Sequence, residues 1–287
     1  MIPIIKKELR TYFNSMVGYV VLAGFVLFTA FYYSLYCIRS LYPDYSIVLS
    51  STSIVFLIVI PIITMRLFAE EMKQKTDQLL YTAPLKIESI VIGKFLSAFI
   101  FFLIGMAITT LFPFITSFFG ELPTSQITGT FVGYILLGAT FISVGLFISV
   151  LTDNQIIAAF GTFGALFAFF MLDGLMELIP LDTNSSLIFV GVLLLGFSFI
   201  VYDSTRSVIA GVITAVLGIT AIIVLYIINP LFFDGAIVKT LGWFSLLLRF
   251  QNFSAGILNV SDIIYYLTFA AAFIYLTINV IEKRRWK

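Results

Sequence analysis

The residues of this chain that could do chemistry are acids and bases, because its 287 residues include no histidine and one cysteine, Cys37. Imidazole metal ligands, histidine proton relays, intrachain disulfides and multi-cysteine metal sites are therefore excluded. The P-loop pattern G-x-x-x-x-G-K-[ST] is absent, since Gly93-Lys94 is followed by Phe95 and position 88 is glutamate. No G-x-S-x-G, H-E-x-x-H or C-x-x-C pattern occurs. The sequence predicts neither a catalytic centre nor a cofactor bound by this chain.

The composition indicates that these few charged residues lie on membrane-spanning elements. Hydrophobic residues make up 61% of the chain and charged residues 11%, against roughly 45–50% and 25% in soluble domains. Apolar runs long enough to cross the bilayer as helices recur along the chain. We expect an all-α, polytopic transmembrane helical bundle of about eight spans that forms a single domain, 1–287. The predicted spans are residues 17–38, 47–65, 90–119, 127–151, 155–179, 186–202, 207–228 and 262–281.

The distribution of basic residues predicts the orientation. All but three of the 16 Lys and Arg residues fall on the side of both termini and of the loop after the second span. The exceptions are Arg39, Lys239 and Arg249. The positive-inside rule then places both termini in the cytoplasm. We expect the chain to lie in the plasma membrane. The net charge of +1 gives no indication of a nucleic-acid partner.

An amphipathic helix is predicted over residues 1–16, ahead of the first span. Its apolar residues recur at helical spacing and its basic residues lie off that face. The apolar residues are Ile5, Leu9, Tyr12, Phe13 and Met16, and the basic residues are Lys6, Lys7 and Arg10. We expect an interfacial helix whose cations lie near the headgroups of membrane lipid. The alternative is a plain extension of the first span.

Residues 66–89 form a cytoplasmic loop by this orientation, and their pattern predicts a second amphipathic helix. The helix would run from Glu70 to Ala83 and end before Pro84. Its apolar stripe comprises Met72, Thr76, Leu79, Leu80 and Ala83, and its charged residues are Glu70, Glu71, Lys73, Lys75 and Asp77. We expect an i,i+4 ion pair between Glu71 and Lys75. The charged face prevents insertion, so lipid or another protein must cover the stripe.

The interiors of the predicted spans contain no ionisable residue by this interpretation, which argues against ion-coupled transport. Asp173 and Glu177, in the last turns of the fifth span, are the nearest acids. They could bind a substrate or simply mark the external end of a helix. Residues 229–260 contain an apolar run too short to span, and we expect an extracellular re-entrant or interfacial segment there.

A set of residues in and beside the loop 66–89 follows a known pattern: Met65, Arg66, Phe68, Glu70, Glu71, Leu79, Leu80, Thr82, Ala83, Pro84, Gly93 and Lys94. This pattern resembles the signature of the ABC-2 type permease family, and the resemblance implies that residues 66–89 are a cytoplasmic coupling region. Residues 4–22, 145–160 and 248–286 look like the gliding-motility-type branch of that family. Its members are usually built on six spans, whereas residues 186–228 here look like two additional ones.

The resemblance implies a type V exporter-like core and a specific set of partners. Such permeases pair as two membrane subunits, identical or different, with two separate ATPase subunits that bind ATP and Mg. Their amphipathic cytoplasmic helix lies in a groove of the ATPase, and an extracytoplasmic accessory subunit often accompanies the branch. A channel or secondary transporter is the main alternative function, and a membrane-embedded enzyme is the third.

Overall fold

The computed structural model describes residues 1–40, 43–76, 86–178, 183–205, 207, 213–220, 222, 226 and 235–285. All regular secondary structure in these ranges is helical. A π turn, Ser34–Ile38, continues the helix Met16–Tyr33, and a 3₁₀ turn, Ser53–Val55, joins the helices Tyr45–Thr52 and Phe56–Thr64. The helices are α1 Ile2–Asn14, α2 Met16–Tyr33, α3 Tyr45–Thr52, α4 Phe56–Thr64, α5 Ala69–Lys73, α6 Ile87–Thr109, α7 Leu111–Thr116, α8 Thr124–Leu151, α9 Gln155–Leu178, α10 Thr183–Thr205, α11 Ala236–Phe244, α12 Leu246–Ser254 and α13 Val260–Arg285.

Six helical segments of the described residues are long and apolar enough to cross a membrane. They are Met16–Ile38, Tyr45–Lys73, Ile87–Thr116, Thr124–Leu151, Gln155–Met176 and Val260–Arg284. The sixth predicted span coincides with α10, which is helical but does not belong to these six segments. Half of the seventh predicted span lies outside the described residues, and residues 213–220 of it are helical. The multi-pass helical bundle is confirmed, whereas the count of eight stays a prediction.

Helix α8 lies at the centre of the packing, in contact with α3, α4, α6, α12 and α13. Small residues allow these close approaches. A Cβ on Gly138 would lie 2.6 Å from the ring of Phe102, and one on Gly133 would lie 2.6 Å from Cβ of Phe253. On the same helix Tyr134 packs against Phe56 with ring centroids 4.4 Å apart. The G-x-x-x-G of Gly129 and Gly133 thus serves packing within the chain, as the small-residue pattern allows.

The chain divides into two compact units by its contacts. The first comprises Met1–Ala168 and Leu246–Lys287, and it contains α8 and the helices around it. The second comprises Phe169–Ser245, in which α10 packs against α11 and the Ser245 hydroxyl donates a hydrogen bond to Asp173. The apolar run predicted as one short element is two nine-residue helices, α11 and α12, separated at Ser245.

Candidate functional site

A buried lysine joins three elements at one end of the first unit. Lys94 lies about two turns inside α6, and its side chain is 1% exposed. Its ammonium lies 3.0 Å from Oε1 of Glu8 on α1 and 2.8 Å from Oε2 of Glu71 on α5. It also donates a hydrogen bond to the Leu67 carbonyl and lies 5.0 Å from the centroid of the Phe68 ring. Burial of this charge is tolerated because two carboxylates and a carbonyl replace its water shell.

Lys7 completes the group, which we term the Lys94 cluster: Lys7, Glu8, Glu71 and Lys94. The Lys7 ammonium lies 2.7 Å from Oε1 of Glu71 and 3.9 Å from Oε1 of Glu8. Burial lowers the pKa of Lys7, but the hydrogen bond to Glu71 and the charges of the neighbouring glutamates outweigh it and raise the pKa above its ordinary value. Lys7 therefore stays protonated at neutral pH, and the cluster holds two positive and two negative groups.

A second set of bonds ties α1 to the end of α4. The Tyr12 hydroxyl donates a 2.7 Å hydrogen bond to the Ile63 carbonyl. Burial raises the pKa of Tyr12 well above its usual range, so the phenol remains a donor. The guanidinium of Arg66 lies 2.9 Å from Glu70 and donates a 3.2 Å hydrogen bond to the Ser15 hydroxyl. Together with the Lys94 cluster, these bonds hold α1, α4, α5 and α6 as one assembly.

A contact with a distant helix explains why α5 begins where it does. The Ser149 hydroxyl on α8 accepts hydrogen bonds from the backbone N–H groups of Phe68 and Ala69, at 3.1 and 3.2 Å. These are donors that a helix start leaves without intrahelical partners. Close packing of α1 on α6 depends on Gly93, where a Cβ would lie 3.2 Å from the Ile4 side chain. A distant serine and a glycine thus position the carboxylates around Lys94.

The structure changes the predicted coupling helix. Helix α5 ends at Lys73, and Lys75 has a left-handed backbone with φ of 55°, so the helix predicted from Glu70 to Ala83 does not continue through this point. Glu71 pairs with Lys7 and Lys94 instead of the expected Lys75. Leu79, Leu80, Ala83 and Pro84 lie outside the described residues.

The remaining predicted coupling residues differ in exposure. Met72 is buried, and its sulfur contacts the guanidinium of Arg284 near the end of α13. Lys73 and Lys75 are exposed, and Thr76 is half-buried. The exposed surface of this region is thus its charged side. A role in binding a partner stays a prediction for all of them.

The predicted N-terminal helix exists as α1, and it packs partly on its own chain. Tyr12 is buried, its ring stacks on Phe101 of α6 at 4.7 Å, and Ile5, Leu9 and Phe13 are half-buried. Lys6 and Arg10 are exposed. Residence in a membrane interface stays a prediction for this helix.

Sequence reasoning missed Glu8 and the burial of Lys94, which it counted with the cytoplasmic charges. The expectation of no ionisable residue inside the spans is therefore wrong at Lys94. A pattern did exist: Glu8 lies one turn from both Ile4 and Tyr12, on the side of α1 that packs against α6. A carboxylate on the packed side of a helix indicates a buried cation opposite.

A second charged group lies at the start of α13. Arg249 lies 2.8 Å from Asp262, which also accepts a 2.8 Å hydrogen bond from the Asn252 amide. The Arg249 guanidinium lies 3.9 Å from the centroid of the Tyr265 ring, a cation–π contact. This group fixes α12 against α13.

Across the described ranges, no group of three or more acids or cysteines could hold a metal ion.

The apolar helices and their buried polar contacts define a multi-pass helical membrane protein. A family model described as ABC-2 family transporter protein matches residues 2–186. Because the match covers well over half of the chain, the chain belongs to this family of ABC transporter permeases, the membrane components of transport systems. No curated protein and no solved structure matches the chain.

Proposed function

We propose that the chain is the permease subunit of an exporter driven by ATP, which a separate ABC ATPase subunit binds with Mg and hydrolyses. The family match over residues 2–186 is the observation that carries this proposal. The absence of a P-loop from the sequence supports it, because such a permease needs an ATPase partner. The distribution of Lys and Arg supports cytoplasmic termini. Assignment to the gliding-motility-type branch depends on the resembling residues alone.

The proposed ATPase contact is the cytoplasmic coupling region, residues 66–89. Its described exposed residues include Lys73, at the end of α5, and Gln74 and Lys75, which follow it. From there, Glu71 connects to Lys94 of α6 and to Lys7 of α1 through contacts of 2.8 and 2.7 Å. A displacement of α5 by the ATPase would therefore move α6 and α1 with it, since breaking the buried Glu71–Lys94 pair costs several kcal/mol. This connection suits the transfer of force from a partner to the spans.

The partner contact can be tested with the double variant Leu79→Asp/Leu80→Asp. These leucines lie on the predicted apolar stripe, and burying each could contribute about 1.5–3 kcal/mol. We expect loss of ATPase copurification and of permease-dependent ATP hydrolysis, with membrane insertion retained. Lys283→Glu is the matched control. It changes the net charge by the same amount, −2, at an exposed position near the carboxyl terminus.

Retained copurification and hydrolysis in a well-inserted double variant would refute the docking role. The wider function has a separate test in reconstituted vesicles that contain the chain and its ATPase. Transport should require ATP and an ATPase with an intact P-loop. Equal substrate flux without ATP would favour the channel or secondary transporter.

We further propose that two permease chains assemble with two ATPase subunits, as a homodimer or a heterodimer, with an accessory extracytoplasmic subunit as an optional component. Native mass spectrometry of the purified complex should give two permeases for each pair of ATPases. A ratio of one permease to two ATPases would contradict the dimer.

A further inference from the structure

A basic cleft lies between α1 and the end of the Tyr45–Lys73 segment. Its volume is about 660 Å³, within the roughly 300–1,000 Å³ that is usual for ligand sites. Its lining includes four cations, and no carboxylate is among its lining residues. The charged and polar side chains most relevant here are Lys6, Lys7, Arg10, Arg66, Thr11 and Asn14. The cleft is therefore suited to an anion.

Two of these cations are already paired and two are not. Lys7 pairs with Glu71, and Arg66 pairs with Glu70. Lys6 and Arg10 are exposed and form no ion pair with any residue in the described part of the chain. They are four residues apart on α1, so their side chains lie on the same face of the helix. An anion in the cleft would meet uncompensated positive charge there.

The position of the cleft indicates the source of that anion. Ser15 lines the cleft and also accepts the N-cap hydrogen bond of α2 from Val17, at the start of the first candidate span. Arg66 follows directly on the apolar end of α4. The cleft thus lies where two apolar spans end, the level of lipid headgroups. Met16 is 82% exposed beside it, which offers an apolar surface to acyl chains.

We propose that this cleft binds the phosphate group of an anionic phospholipid from the cytoplasmic leaflet. Lys6 and Arg10 contact the phosphate, and the acyl chains lie along the exposed start of α2. The bound lipid holds α1 in the interface, in addition to the contacts that α1 makes with α6. Because binding needs only this chain and a bilayer, the inference does not depend on export or on the ATPase.

The test uses the full chain in nanodiscs of equal phosphatidylglycerol and phosphatidylcholine, with retained lipids counted by native mass spectrometry. Each cation near an anionic surface contributes about 1 kcal/mol, or about fivefold. We expect Lys6→Gln/Arg10→Gln to lower phosphatidylglycerol retention by about 10- to 25-fold. The matched control, Lys86→Gln/Lys283→Gln, removes two exposed cations outside the cleft and should lower retention much less, because neither lies against the proposed phosphate site.

Three outcomes would overturn the proposal. The first is equal phosphatidylglycerol retention in the cleft variant and the control. The second is displacement of phosphatidylglycerol by millimolar inorganic phosphate that is itself retained in phosphatidylcholine nanodiscs, which would identify a soluble anion as the ligand. The third is unchanged lipid retention with loss of ATPase copurification, which would assign the cleft to an acidic surface of the ATPase. Unchanged thermal unfolding of the cleft variant confirms that it is folded.

Discussion

At Lys94, an ammonium that is 1% exposed is stabilised by carboxylates from two other elements, Glu8 on α1 and Glu71 on α5. Desolvation of the charges opposes these pairs, so their net contribution to stability is smaller than the contact distances suggest. Removal of one residue of the cluster destabilises the chain by more than the ion pairs stabilise it, because the remaining charges stay buried without a counter-ion. The cluster therefore specifies one arrangement of α1, α5 and α6.

The first prediction concerns removal of that ammonium. Lys94→Met preserves much of the side-chain volume but leaves Glu8 and Glu71 facing each other with only Lys7 nearby. We expect destabilisation of about 3–5 kcal/mol, measured as a lowered thermal unfolding midpoint in detergent. Lys86→Met is the control at an exposed lysine one residue before α6.

A compensating variant gives that prediction a second readout. Lys94→Met/Glu8→Gln/Glu71→Gln removes the unpaired acids and should recover part of the lost stability. If Lys94→Met unfolds at the same temperature as the Lys86 control, the ion pairs do not hold the elements together.

The second prediction tests the ion pair between Arg249 and Asp262 at the start of α13. Asp262 is 3% exposed and pairs with Arg249. Asp262→Ala leaves the guanidinium without its counter-ion. It should lower the free energy of unfolding by about 2–4 kcal/mol, which is measured as a lower unfolding midpoint. Arg249→Ala/Asp262→Ala should cost less than the sum of the two single variants. Strict additivity in this double-mutant cycle would show that the two residues do not interact.

At the scale of elements, one close approach that can be tested lies between α8 and the end of α4. A Cβ on Gly145 would lie 2.8 Å from Cβ of Thr64. We expect Gly145→Ala to separate the two helices and to destabilise the chain by about 1–3 kcal/mol. Gly164→Ala is the matched control, since a Cβ there meets nothing within 4 Å and alanine favours the helix. Unfolding temperatures of the two variants should change in opposite directions, and equal changes would contradict this packing.

Some elements could be predicted from sequence because long apolar runs leave one interpretation. The predicted spans 127–151 and 155–179 correspond to α8, Thr124–Leu151, and α9, Gln155–Leu178. The end of α5 could not be predicted, because helical spacing continues past Lys73 while the structure ends the helix there. Glu71 is bound by residues that are distant in sequence, and a local i,i+4 rule cannot detect them.

At the scale of the whole molecule, a labelling test of the predicted orientation requires introduced cysteines. By the predicted orientation, Cys37 at the end of the first span is accessible from outside, but it is 7% exposed, so it is a poor site for a label. In a Cys37→Ser background, Glu121→Cys and Lys283→Cys provide exposed thiols on predicted opposite sides. A membrane-impermeant maleimide should label intact cells at position 121 only and position 283 after permeabilisation. The reverse pattern would invert the topology.

The order of the Lys94 cluster along the chain has a consequence for biogenesis. Glu8 and Glu71 both precede Lys94, by 86 and 23 positions. Synthesis proceeds from the amino terminus, so both acids have left the ribosome before the ammonium that they neutralise. When α6 packs against α1 and α5, its lysine can pair at once with acids that have already been synthesised. The packing of α6 is thus spared an unpaired buried charge, which would be costly.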